Sequence, residues 1–124
     1  INPRISTIGS SVSAFVSDLK AMNAWDSTTI YFFSEFGRTN QEVGGGGTDH
    51  GAATTHLVIG GSVLGGSQAM MGTLPTPTEF MSRANTRVVI DYRNIYSEIF
   101  QWMGFNPELV FTEQYTRTPL RLFA

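Results

Sequence analysis

Residues 28–66 constrain this chain more than any other stretch. They begin with TTIYFF, a β-branched and aromatic run with the composition of a buried strand. The run stops at Ser34-Glu35-Phe36-Gly37-Arg38, so a carboxylate and a guanidinium follow the strand's carboxyl end. Four glycines, Gly44 to Gly47, then lead into Thr48-Asp49-His50-Gly51. A second strand is expected at residues 56–59, closed by Gly60-Gly61. Two buried strands thus bracket most of the polar chemistry, the placement expected of ligand sites in open α/β sheets.

The flanks fit an α/β domain. Residues 6–25 read as an amphipathic helix, with Ile8, Val12, Phe15, Val16, Leu19 and Met22 on one stripe. Ser6 or Thr7 can cap its start, and the helix is expected to end near Asn23. A helix feeding an apolar strand is the pattern of a helix-covered sheet. Residues 38–47 are polar, glycine-rich and aperiodic, and are expected to form a loop. Residues 60–66 read as a loop or a very short strand. Residues 67–84 read as an irregular excursion anchored by Met70, Met71, Leu74, Phe80 and Met81. A short extended segment is expected at 87–90. Asp91 then caps a helix over 92–103, with Tyr92, Ile95, Tyr96, Ile99, Trp102 and Met103 as its apolar face and Gly104 as its stop. Asn106-Pro107 opens a short helix to about Phe111, and the apolar end of the tail, 119–123, is expected to dock.

Composition excludes several classes. With 124 residues, one compact domain is expected. The arginines are scattered and the net charge is -2, which disfavours nucleic-acid binding. No apolar run reaches the length of a membrane span. The chain has no cysteine, so disulfides and thiolate metal sites are excluded.

Three constellations could carry chemistry. Asp49-His50, with Glu35 and His56 nearby in sequence, offers the oxygen and nitrogen ligands that suit zinc, manganese or iron. The plainer reading has Asp49 capping a turn and His50 bonding to backbone. Gly44 to Gly47 could form an anion nest, or simply a loop between strands. Glu35 and Arg38 could pair with each other, or Arg38 could clamp an oxyanion.

The runs SEFGRT (34–39), GTDHG (47–51) and LVIGG (57–61), with Gly65-Gly66, Asp91-Tyr92-Arg93 and Gly104-Phe105-Asn106-Pro107, resemble the bacterial domain of unknown function 1501 family over nearly the whole chain. That resemblance implies a protein exported by a twin-arginine signal to the periplasm, cell surface or outside. It also implies the C-terminal part of an alkaline phosphatase or sulfatase-like fold, a partial three-layer α/β sandwich around a mostly parallel sheet. The chain then reads as a single α/β domain, 1–124, from the C-terminal end of a longer protein. Its expected partners are the N-terminal remainder of that protein and further copies of itself.

By the same resemblance Asp49, His50 and Glu35 would be metal ligands and Arg38 would steady an oxyanion, in a hydrolase of phosphate or sulfate esters. Phe36 stands where sulfatase-like relatives place a metal ligand. The alternative is a non-catalytic structural or assembly module at the cell surface, with Met70, Met71, Leu74 and Phe80 as its contact surface. In neither case is the chain alone a complete catalyst.

Overall fold

A computed structural model describes residues 2–66, 69–82 and 85–124. It contains three helices and two separate pairs of strands. The first helix, α1 (Pro3–Ala21), starts earlier than the apolar stripe requires. Asn2 caps it by accepting from the Arg4 N–H, and Pro3 fills the first turn, where no N–H is needed. It ends with Asn23 in the left-handed region at φ 55°. The Ala24 N–H reaches the Leu19 carbonyl and the Asn23 N–H reaches that of Lys20, which satisfies the last turn. A 3₁₀ turn, Trp25–Ser27, then leads into strand β1 (Thr29–Phe32).

The expected parallel sheet is not formed. β1 pairs with β4 (Leu57–Gly60) antiparallel, with Tyr31 opposite Val58. Between them lie β2 (Gly37–Val43) and β3 (Gly47–Gly51), an antiparallel hairpin of its own. The physical reason is the connection. Parallel pairing needs a crossover of a dozen or more residues, usually a helix. Residues 33–56 carry no helix, and the chain goes out and back in the hairpin. The architecture is therefore not a mostly parallel three-layer sandwich but helices around short two-stranded ribbons.

The hairpin also replaces the loop expected at 38–47. Its strands meet at Val43 and Gly47, and Gly45 and Gly46 turn the chain at φ 114° and 84°. At its base Gly37 lies opposite Gly51 and is buried. A Cβ at Gly37 would lie 1.6 Å from the Ala53 carbonyl oxygen, so only glycine fits.

Beyond β4, Val63 forms a lone bridge with Phe123. Within the expected excursion a short helix appears, α2 (Pro77–Ser82). The Thr76 hydroxyl accepts from the Glu79 N–H, and the Glu79 carboxylate accepts from the Thr76 N–H, a reciprocal cap. Ser67, Gln68, Arg83 and Ala84 of that excursion lie outside the described residues, as does Ile1. Residues 87–90 join no strand.

Helix α3 (Tyr92–Trp102) begins and ends as its sequence predicts. Asp91 caps it, and the Phe105 N–H reaches the Phe100 carbonyl past Gly104 at φ 83°. Its aromatic face meets β1 edge-on through Tyr31 and Tyr96, 5.2 Å apart, and continues through Phe100 and Phe111. Little of this is a sealed core. Among the described residues only Leu19 and Leu122 are fully buried hydrophobics, while Ile5, Ile8 and Phe15 on α1 stay exposed. No described helix is long and apolar enough to cross a membrane.

Candidate functional site

The β2–β3 hairpin holds three of the four expected site residues. Arg38 lies directly opposite His50 in the ladder, so the two share a face. The Arg38 guanidinium reaches diagonally to Thr48, donating from Nε to Oγ1 at 3.0 Å and from a terminal nitrogen to the Thr48 carbonyl. The Phe36 ring stacks on the His50 imidazole, with centroids 3.7 Å apart and planes 19° off parallel. One hairpin face thus presents a guanidinium and an imidazole, braced by a hydroxyl and an aromatic ring.

The acidic residues do not join them. Asp49 lies between Thr48 and His50 in an extended strand, where successive side chains point to opposite faces. Its carboxylate turns back to accept the His50 N–H at 2.7 Å, within the strand and not as the cap of a turn. Its own N–H donates to the Thr39 hydroxyl at 2.9 Å. Glu35 is exposed in the turn before β2 and, among the described residues, pairs with neither Arg38 nor His50. No three His, Asp or Glu side chains converge among the described residues. Asp49, His50 and Glu35 therefore do not by themselves fit a zinc, manganese or iron centre, which takes at least three converging protein ligands. The four glycines form the exposed tip of the hairpin, held by ladder geometry.

His56 sits elsewhere, against Tyr31 of β1. The Tyr31 hydroxyl and His56 Nδ1 lie 2.5 Å apart, with their rings stacked at 5.5 Å. Burial, then the neighbouring Tyr96, pushes the Tyr31 hydroxyl up to about 12, so it stays protonated and donates. Burial lowers His56 and keeps it neutral, so Nδ1 accepts and the ring proton sits on Nε2.

Residues 2–122 match the family described as Protein of unknown function (DUF1501). The chain belongs to the DUF1501 family. No curated protein and no solved structure matches it. The match runs from the Asn2 cap of α1 to the buried Leu122, so every DUF1501 element described above falls inside it.

The most fully built polar cluster in this DUF1501 chain was not foreseen. The expected apolar face of α3 is only half-buried, and Tyr92 and Met103 are exposed. The buried face is polar, with Asn94 at 5% exposure and Ser97 at 0%. The tail covers it. Backbone N–H groups of Thr118, Leu120 and Leu122 donate to Asn94 Oδ1, Glu98 Oε1 and Glu98 Oε2 at 2.9, 3.2 and 3.2 Å. The donors fall on every second residue of the tail, and the chain turns through Arg121 at φ 55° between the last two, so both reach the one Glu98 carboxylate. Ser97 meets the Tyr115 hydroxyl at 2.6 Å, Arg117 pairs with Glu98 at 3.5 Å, and Phe123 stacks on Trp102 at 5.1 Å. The available signal was Asn94, Ser97, Glu98 and Gln101 at spacings of three, one and three, a second stripe on α3.

Proposed function

We propose that this DUF1501 chain is a structural, assembly-forming module whose apolar surfaces are covered by other polypeptide when it works. One observation carries the reading. The folded chain exposes 9158 Å², against about 6,600 Å² for a compact monomer of its mass. The excess, roughly 2,600 Å², is larger than the ~800 Å² per partner that a standard interface covers. The exposed groups include large apolar ones. Ile5 and Ile8 lie on α1, Met70 and Leu74 precede α2 in the chain and Met81 lies within it, the last three at 83, 81 and 79% exposure. The covering polypeptide in this reading is further copies of the chain itself. Sedimentation velocity over ~1–100 μM tests this. Concentration-dependent association is expected, weakened by Met70→Asp with Met71→Asp. A monomer at every concentration, with native circular dichroism, refutes it.

A second reading rests on Arg38 standing opposite His50. This face would lend an anion-steadying edge to an ester hydrolase whose remaining groups come from other polypeptide. Titration calorimetry with inorganic phosphate and sulfate tests it. Binding lost in Arg38→Ala supports it, and binding unchanged in that variant refutes it.

A further inference from the structure

We propose that two copies of this chain pair antiparallel along α1; this rests on the assembly reading above and names its partner. Ile5, Ile8, Val12, Phe15, Leu19 and Met22 follow one another at intervals of three, four, three, four and three. That is the seven-residue repeat by which one helix seats its side chains between those of another. The repeat spans α1, a helix of 19 residues and about 28 Å.

In the last turn of the seam Leu19 is already used, whereas Met22 beyond it is 64% exposed. Leu19 is 7% exposed, packed where α1 meets the Trp25–Ser27 turn. The free part runs from Ile5 to Phe15, with Ile5, Ile8 and Phe15 exposed by 64, 56 and 49%. Its apolar spacing calls for a helix as occupant, and its charges favour a second copy. In the antiparallel register that uses only the free part, Ile5 layers with the partner's Phe15, and Ile8 with the partner's Val12. Arg4 then comes within a turn of the partner's Asp18, at both ends of the pair. Neither Arg4 nor Asp18 is ion-paired among the described residues. Ser11 falls beside its own symmetry mate, and Gly9 lets the backbones close in. A parallel pair brings no opposite charges together in this way. The seam covers on the order of 1,000 Å² in total, the lower edge of specific interface size, so the dimer is expected to dissociate at micromolar concentration.

The absence of cysteine makes the test direct. In the full chain, Ser11→Cys should form a disulfide-linked dimer under mild oxidation, whereas Ser17→Cys, on the outer face, should not. Arg4→Glu should weaken sedimentation-detected association about 5–10-fold, and adding Asp18→Arg should restore it. Both positions are exposed, so the fold tolerates these changes. Association that survives Arg4→Glu unchanged, without a Ser11→Cys disulfide, overturns the α1 pairing and leaves the assembly reading standing. No association at any concentration overturns both.

Discussion

Replacing Glu98 should release the tail while leaving the rest of the fold in place. The carboxylate is 11% exposed and accepts two backbone N–H groups, from Leu120 and Leu122, each at 3.2 Å. A hydrogen bond to a charged group contributes about 1.5–3 kcal/mol net. These two are long, so the low end applies, and together they hold the tail by about 3 kcal/mol. The Arg117 contact at 3.5 Å adds little, because Arg117 is itself 30% exposed. Glu98→Ala removes both acceptors and should raise tail opening roughly 150-fold. Glu98→Gln keeps one oxygen, loses the charge and turns an amide N–H₂ toward the second donor, so it should fall between. Native-state hydrogen exchange at the Leu120 and Leu122 amides measures this directly. The α3 amides serve as the internal control, since their ladder does not depend on the tail. Unchanged protection at Leu120 and Leu122 in Glu98→Ala would show that the tail is held by side-chain packing through Leu122 and Phe123 instead.

Gly37→Ala should destabilise the chain by about 3 kcal/mol or more, because the new methyl meets the Ala53 backbone and no side chain can yield. Chemical denaturation checks this, and a midpoint within error of the parent would mean the hairpin base is looser than its geometry. His56 is held below its ordinary 6.5 by burial, so between its folded and unfolded values the folded chain binds fewer protons. Stability should therefore fall as pH drops through 6.5 and level off below the folded value. His56→Gln should flatten that slope in melts between about pH 7.5 and 5, and an identical slope in both proteins would remove His56 as its source.

What could be read from sequence follows the range of the interactions involved. Helix α3 was legible at both ends, because Asp91 and Gly104 act on their own turns. The start of α1 was equally local. Asn2-Pro3 is the same signal as Asn106-Pro107, but the apolar stripe starting at Ile8 points to Ser6 or Thr7 as the cap. The Thr76–Glu79 cap is likewise carried by Thr-Pro-Thr-Glu, inside a stretch whose methionines and prolines have no period to mark a helix.

Strand direction was not legible. β1 and β4 have the residues of buried strands, but their composition says nothing of how the chain gets from one to the other. β2 was hidden because RTNQEV is polar on both faces, so no alternation betrays a strand. At the site, Arg38 and His50, expected to serve one centre, stand opposite each other on one hairpin face. Glu35 and Asp49 were grouped with them by sequence proximity and by resemblance, and strand alternation and the turn before β2 set both carboxylates apart from that face.

The tail is read by its main chain at every second residue, and this sets a rule for what it can become. Proline, which lacks an amide hydrogen, is admissible at 119 and sits there already, out of phase with the three donors. At 118, 120 or 122 the same residue would erase a bond outright. Side-chain identity at 116 and 119 is free to drift, while the rhythm of the backbone is not.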